Sequence, residues 1–171
     1  MAQRHGARRF TGCDVDAEAV AWCSANLEGG PFFVNSPEPP LPCEPEQFDL
    51  VYAISVFTHL DEPAQQDWLA ELRRVLKPGG IALVTLHGAR TWAGSPVETE
   101  VRGHGFLFSR TEKLKGFCPD WYQTSSQTEE YTRAEFRRCF DVLAYLPEAF
   151  GLQDAAILER RGGDVPLAGS P

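Results

Sequence analysis

The chain has 171 residues, 43% of them hydrophobic and 23% charged, which is the size and composition of one globular domain and excludes a disordered or collagen-like protein. Sixteen basic residues against 24 acidic ones give a net charge of −8, which argues against a partner as anionic as nucleic acid. No apolar run approaches the roughly 20 residues of a membrane span, and the first residues lack the apolar core of a signal peptide, so we expect a cytoplasmic protein without a membrane partner.

The sequence of the first half of the chain predicts, in order, a strand, a helix and two further strands. A strand over residues 9–13 ends at Asp14, and Asp16 begins a helix over 17–27 by accepting hydrogen bonds from first-turn amides. A short strand at 32–34 is closed by Asn35-Ser36 and followed by a proline-rich loop. Residues 48–54 are almost all apolar, a pattern typical of a strand covered on both faces.

The second half predicts one long helix, a further strand, and an antiparallel pair at the end. Asp61-Glu62-Pro63 begins the helix, Lys77-Pro78-Gly79-Gly80 ends it, and residues 81–86 form the strand. Periodicity is lost over 88–131, which we interpret as an insertion with one hairpin arm at 106–108. A capping box at Thr132 starts a short helix to about residue 139. Strands at 140–145 and 152–158 are joined too closely for a parallel crossover and must pair antiparallel, and the Gly- and Pro-rich tail 161–171 is expected to be flexible.

The cysteines and histidines predict neither disulfides nor a metal site. Five cysteines is an odd number, no two lie at the spacing of a zinc knuckle or redox pair, and the four histidines are scattered. Reduced thiols are the expected state.

Strands alternating with helices indicate an α/β fold with a mostly parallel sheet, and such sheets bind ligands beyond the carboxyl ends of their strands. The residues at those ends are Asp14-Val15, Asn35-Ser36, Ile54-Ser55 and His87. A carboxylate directly after a strand can accept both hydroxyls of a ribose, and Val15 can lie against a base. The alternative is that Asp14 only supports the cap formed by Asp16.

Three motifs then carry a resemblance to a known family. Gly12-Cys13-Asp14-Val15-Asp16, Phe48-Asp49-Leu50-Val51-Tyr52-Ala53 and Leu76-Lys77-Pro78-Gly79-Gly80 stand in the order and spacing of class I S-adenosylmethionine-dependent methyltransferases. The segment 55–60 and the ending at 151–154 also resemble that family. The resemblance covers residues 8–160 and implies a Rossmann-like fold in a single domain, residues 1–160, with the insertion 88–131 as an acceptor lid.

The resemblance implies roles for seven residues. Asp14 would bind the ribose hydroxyls, Val15 would pack on the adenine, and Asn35 and Ser36 would lie near the adenine edge. Ala53, Ile54 and Ser55 would line the methionine side, with simple core packing as the alternative for Ala53 and Ile54. The implied cofactor is S-adenosylmethionine and the implied partner is a small-molecule acceptor, while the catalytic residue is unassigned.

One family feature is missing from the sequence. The family's first strand and its Gly-x-Gly-x-Gly turn, which cradles the methionine part of the cofactor, have no counterpart here. We therefore expect an N-terminally truncated fold. Either the gap closes, or a partner strand from a homodimer or another chain completes the sheet, or the chain is a fragment. A non-catalytic module acting through a partner is the alternative function, and a dinucleotide-binding domain is a third.

Methyl transfer from a sulfonium requires positioning and exclusion of water more than activation. A general base is needed only when the acceptor must lose a proton. His59 and His87 are the candidates for that base, with helix capping and turn formation as their alternatives.

Overall fold

The protein was analysed as a computed structural model that describes residues 10–110 and 123–163. Three stretches for which the sequence made predictions therefore lie outside the described residues: the N-terminus 1–9, the middle of the insertion 111–122, and the tail 164–171. The chain divides into two compact units, with the boundary between Pro42 and Cys43. Each unit is described by itself.

The first unit is a parallel strand pair with one helix between its strands. β1 (Gly12–Asp14) pairs with β2 (Phe32–Val34), and α1 (Ala17–Asn26) connects them. The carboxylate of Asp16 accepts hydrogen bonds from the amides of Glu18 and Ala19, because these first-turn amides have no partner inside the helix. The predicted strands, helix and cap are confirmed, with α1 ending one residue earlier than expected.

The second unit has a four-stranded sheet in the order β3-β4-β8-β7. Its elements in chain order are β3 (Phe48–Ala53), a 3-10 helix (Phe57–His59), α2 (Glu62–Val75), β4 (Leu76–Leu86), α3 (Ala89–Trp92), α4 (Glu98–His104), β5 (Phe106–Ser109), β6 (Thr124–Gln127), α5 (Glu129–Phe136), β7 (Asp141–Phe150) and β8 (Gln153–Glu159). β3 and β4 are parallel, whereas β8 is antiparallel to both β4 and β7. The mixed α/β fold and its antiparallel ending are thus confirmed.

The core of the second unit lies between one face of this sheet and α2. The helix contributes a stripe of buried side chains that includes Leu69 and Leu72, and the sheet contributes Val84 and Leu158. Asp61 begins α2 as predicted, since its carboxylate accepts a hydrogen bond from the amide of Ala64. The helical periodicity therefore identified the packed face correctly.

The prediction that the strand at 48–54 is covered on both faces is wrong. Val51 and Ala53 pack against the core, but Leu50 and Tyr52 on the opposite face are 57% and 67% exposed. A continuous apolar run shows that both faces of a strand are apolar, and it does not show that both are buried.

The segment Lys77-Pro78-Gly79-Gly80 also differs from the prediction. α2 already ends at Val75, and the four residues lie inside β4, where the pairing with β3 shifts register. The amide of Gly79 donates to the carbonyl of Arg160, and the amide of Arg160 donates to that of Gly80. The segment therefore follows α2, as predicted, and also forms hydrogen bonds with Arg160, the residue directly after β8.

The region 88–131 contains more regular structure than its sequence predicts. The hairpin is confirmed, with β5 pairing antiparallel with β6, but α3 and α4 were missed because helices of four and seven residues are too short to show periodicity. The capping box predicted at Thr132 is wrong, since α5 begins at Glu129 and its cap is Thr128, whose hydroxyl accepts from the amide of Tyr131. Thr132 lies inside the helix and its hydroxyl donates to the carbonyl of Thr128.

Candidate functional site: strand ends and a histidine pair

The carboxyl ends of β1 and β2 bring four of the predicted residues together. Asp14 pairs in register with Val34, and the amide of Asn35 donates to the carbonyl of Asp14 at 3.0 Å. Asp14-Val15 and Asn35-Ser36 are therefore neighbours at one edge of the first unit. This is the place at which parallel α/β sheets bind ligands.

The side chain of Asp14 fills the structural one of the two roles that the sequence left open. Its Oδ1 accepts a hydrogen bond from the amide of Asp16 at 2.9 Å, so it does support the cap of α1. Asp14 is exposed, and no contact within the described residues involves its Oδ2. A carboxylate oxygen has more than one acceptor site, and the side chain retains the capacity to accept from a diol.

Asn35 and Ser36 form a local turn beside Asp14. The side-chain amide of Asn35 donates to the carbonyl of Ser36 at 2.7 Å, and the hydroxyl of Ser36 accepts from the amide of Glu38 at 3.4 Å. These bonds fix the loop that follows β2. Val15 is half-buried next to Asp14.

The other three predicted cofactor residues lie in the second unit, at the end of β3. Ser55 has a φ of 58°, a left-handed conformation that a non-glycine residue adopts only when its surroundings hold it there. Its amide donates to the hydroxyl of Thr85 at 2.8 Å, and its own hydroxyl accepts from the side-chain amide of Gln153 at 2.7 Å. Ala53 packs on the core, as its alternative stated, and Ile54 is 39% exposed.

The histidines that the sequence offered as bases are neighbours in space. The rings of His59, at the end of the 3-10 helix, and His87, directly after β4, are 6.3 Å apart between centroids and perpendicular. Nδ1 of His59 lies 2.7 Å from the carbonyl oxygen of Gln123, and Nδ1 of His87 lies 3.1 Å from that of Ser125. Nothing in the local sequence pattern indicates this proximity, because 27 residues separate the two histidines.

Burial is the main influence on the charge of His87. It lowers the pKa of His87 below its ordinary value near 6.5, since the protonated ring loses hydration; the hydrogen bond to Ser125 opposes this, and the nearby His59 adds to it. His87 is therefore mostly neutral at pH 7. Within residues 10–110 and 123–163, no three side chains of His, Cys, Asp or Glu are grouped as metal ligands.

A buried hydrogen-bond network was missed by the sequence analysis. The side-chain amide of Gln65 in α2 donates to the carbonyl of Phe57 at 2.9 Å and to Oε1 of Gln127 at 3.1 Å, and the amide of Gln127 donates to the hydroxyl of Thr132 at 2.7 Å. Gln65 lies four residues before Leu69, on the buried stripe of α2. A glutamine on an apolar stripe is the signal that would have revealed it.

Among residues 10–110 and 123–163, no helix has both the length and the apolar character needed to cross a bilayer.

Comparison with known proteins finds a matching family model and similar folds. Residues 1–84 match the model of a methyltransferase domain family. The fold is similar to that of an S-adenosylmethionine-dependent methyltransferase from Mesorhizobium loti, with a TM-score of 0.70 and 16% identity over 91% of this chain and 82% of that one. A methyltransferase of the same cofactor class from Methanosarcina mazei gives a TM-score of 0.64 and 18% identity over 88% and 81% of the two chains.

A third similar structure holds ligands. It is the 1,6-didemethyltoxoflavin-N1-methyltransferase of Burkholderia thailandensis with bound 1,6-didemethyltoxoflavin and S-adenosylhomocysteine, at a TM-score of 0.64 and 13% identity over 91% of this chain and 62% of that one. The matched family model and the shared fold agree with the motifs at Asp14, Asp49 and Gly79, and the cofactor that goes with them is S-adenosylmethionine. Residues 1–84 thus match a methyltransferase domain family, and the described residues have the fold of S-adenosylmethionine-dependent methyltransferases.

Proposed function

We propose that the protein transfers the methyl group of S-adenosylmethionine to a small-molecule acceptor. The observation that carries this is the geometry at the ends of β1 and β2, where the exposed carboxylate of Asp14 lies beside the turn at Asn35. Asp14 accepts the ribose hydroxyls, Val15 packs on the adenine, and Asn35 and Ser36 lie at the adenine edge.

The proposed role of Ala53, Ile54 and Ser55 is to line the methionine part of the cofactor. Ala53, Ile54 and Ser55 follow the carboxyl end of β3, and the strained backbone of Ser55 is held by Thr85 and Gln153. A residue kept in an unfavourable conformation by two side chains is a common feature of ligand sites. The bound cofactor supplies an activated methyl group, so the chain has to position the acceptor and exclude water.

The acceptor proposed here is a small molecule, in line with the 1,6-didemethyltoxoflavin bound to the similar structure from Burkholderia thailandensis. The net charge of −8 argues against nucleic acid as the acceptor. The insertion 88–131 is proposed to form the acceptor side, because it begins directly after His87 and its strand β6 contacts the ring of His87 through the carbonyl of Ser125. We also propose a cytoplasmic location for the protein.

A second candidate function is a non-catalytic module that acts through a partner chain or a second copy. The observation that favours it is the exposed apolar face of β3, where Leu50 and Tyr52 are more than half exposed. Large apolar side chains next to each other on a strand are typical of a surface that another chain covers. Analytical ultracentrifugation of the purified chain tests this alternative through its oligomeric state.

Thermal-shift measurements with S-adenosylmethionine, S-adenosylhomocysteine and NADH separate the three functions. An enzyme of the proposed kind is stabilised by the first two ligands and not by NADH, since binding to the folded state alone raises stability. Stabilisation by NADH alone would identify a dinucleotide-binding domain, and no shift with any ligand would favour the non-catalytic module.

A further inference from the structure

The strongest unassigned feature of the second unit is the way that β6 holds the two histidines. The backbone of Gln127 donates from its amide to the carbonyl of His87 at 3.1 Å, so residue 127 turns its backbone groups away from β5. In an antiparallel strand every second residue faces the same way. Ser125 and Gln123 therefore also face away from β5, and their carbonyls meet the rings of His87 and His59.

This contact fixes which ring nitrogen carries the proton. A backbone carbonyl only accepts hydrogen bonds, so Nδ1 of His87 must be the donor. In the neutral ring, Nε2 is then the nitrogen with the lone pair. No hydrogen bond within the described residues involves Nε2 of His87, and this atom is not among the buried polar atoms that lack a partner. The lone pair is therefore open to a ligand.

The frame around His87 is rigid. Its backbone and its ring are both bonded to β6, and the hydroxyl of Ser125 donates to the carbonyl of Phe57 at 2.8 Å. The indole of Trp92 donates to the carbonyl of Gln127 at 3.2 Å. Fully bonded buried networks of this kind hold a side chain in one orientation, which is what a proton acceptor needs in order to act on a bound substrate.

We propose that His87 is the general base of the methyl transfer and that the acceptor is therefore a nucleophile with a dissociable O–H or N–H proton. This inference rests on the proposed function. The acceptor oxygen or nitrogen bonds to the methyl carbon while the carbon–sulfur bond breaks and its electron pair stays on sulfur, giving S-adenosylhomocysteine. The acceptor proton passes to Nε2 of His87, and the resulting imidazolium returns it to water.

His59 takes a supporting part in this proposal. Its ring lies perpendicular to that of His87 at 6.3 Å, and its Nδ1 bond to Gln123 fixes its orientation in the same way. The electrostatic effect of His59 also lowers the pKa of His87, which favours the neutral ring that accepts a proton. The described residues of β6, Thr124 to Gln127, carry no charged side chain.

The variant that isolates the base is His87→Asn. The side-chain amide nitrogen of asparagine occupies the position of Nδ1 and keeps the donor to Ser125, whereas nothing replaces Nε2. Asp67→Asn is the control, because Asp67 is an exposed residue of α2 that lies outside the insertion. Formation of S-adenosylhomocysteine is measured by mass spectrometry with phenol, 4-nitrophenol and benzimidazole as acceptors that lose a proton, and with pyridine and N,N-dimethylaniline as acceptors that do not.

The expected result is turnover with the first group of acceptors. His87→Asn should lower methylation of phenol by at least about 100-fold, and that of the more acidic 4-nitrophenol, which is already largely ionised at pH 8, by less than about tenfold. Asp67→Asn should change neither. Equal losses for both phenols, turnover with the second group alone, or no turnover with any of the first group while S-adenosylmethionine binds would overturn the proposal.

A second measurement does not depend on the cofactor. Long-range ¹H–¹⁵N NMR of the histidine rings in the full chain should show His87 with a protonated Nδ1 and an unprotonated Nε2 at pH 8, with assignment from the spectrum of His87→Asn. The opposite tautomer would overturn the proposal even if the chain methylates a substrate. Failure of S-adenosylmethionine to bind, seen by calorimetry, would instead contradict the proposed function.

Discussion

Replacing Gly88 by alanine should destabilise the second unit strongly, although the backbone there suits any residue. A Cβ on Gly88 would lie 1.6 Å from Oδ2 and 2.3 Å from Cγ of Asp154. Asp154 is 3% exposed and cannot move without disturbing its neighbours. Its Oδ2 accepts from the hydroxyl of Tyr145 at 2.7 Å, and its Oδ1 accepts from the amide of Glu148 at 2.9 Å.

The magnitude follows from these two bonds. A hydrogen bond to a charged group contributes about 1.5–3 kcal/mol, so displacing the carboxylate from both donors should lower the free energy of unfolding by about 3–6 kcal/mol. That is a large part of the total stability of a domain, about 5–15 kcal/mol. Burial and the bond to Asp154 also raise the pKa of Tyr145, so its hydroxyl stays protonated and needs an acceptor.

Urea denaturation followed by tryptophan fluorescence measures the change. The control is Gly103→Ala in the interior of α4, where an added Cβ meets nothing within 4 Å and where alanine should raise stability by about 0.5–1 kcal/mol. The double variant Gly88→Ala with Asp154→Ala should be no less stable than Asp154→Ala alone, because the clash is gone. A Gly88→Ala protein within about 0.5 kcal/mol of the original, or fully additive effects in the double variant, would refute this reasoning.

Three further changes test other parts of the structure. Asp16→Ala should cost about 1 kcal/mol of stability through loss of the cap of α1, whereas Asp16→Ser should restore most of it; circular dichroism during denaturation measures both, and equal effects would rule out the cap. Gln65→Ala should lower the free energy of unfolding, measured in urea, by about 2–4 kcal/mol, because the carbonyl of Phe57 and Oε1 of Gln127 lose the Gln65 amide as a donor. The control is Gln66→Ala at the neighbouring, half-buried position, which should lower it by less than about 1 kcal/mol. NMR titration should give His87 a pKa below 6.5. As the pH drops from about 6.5 towards the pKa of the folded state, the unfolded chain therefore binds a proton at His87 before the folded chain does, and the free energy of unfolding should fall. His87→Asn should remove that loss of stability, and a pKa above 6.5 would contradict the role of burial.

Local signals in the sequence predicted most of the fold. Asp16 and Asp61 carry the side-chain oxygen that first-turn amides require, and both helices begin where these residues stand. The six residues between the last two predicted strands left only an antiparallel pairing, which β7 and β8 have. Such signals act over a few residues and do not depend on the rest of the chain.

The features that were predicted wrongly or not at all have a different cause. They depend on contacts between residues that are distant in the sequence. The exposure of the Leu50 and Tyr52 side chains depends on which other segments pack on β3. The sequence of the strand itself does not identify those segments. Thr128 caps α5, whereas the hydroxyl of Thr132 accepts a hydrogen bond from the side chain of Gln127. The local pattern around Thr132 does not indicate that contact. The proximity of His59 and His87 likewise exists only through β6.

The candidate site was predictable to the same extent. Asp14 and Asn35 stand at the ends of parallel strands, so their adjacency followed from topology. The strained backbone of Ser55, with its contacts to Thr85 and Gln153, did not follow, because a positive φ at serine leaves no mark in the sequence.

The most direct test is calorimetric titration of the purified chain with S-adenosylmethionine, together with the variants Asp14→Asn and Glu18→Gln. Asparagine keeps the oxygen that accepts from the amide of Asp16 but replaces the second acceptor by a donor, and Glu18→Gln removes the same charge from the first turn of α1. We expect the original chain and Glu18→Gln to bind within about twofold of each other, and Asp14→Asn to bind at least about tenfold more weakly, a loss of about 1.4 kcal/mol. No binding by the original chain, or equal binding by all three proteins, would contradict the account.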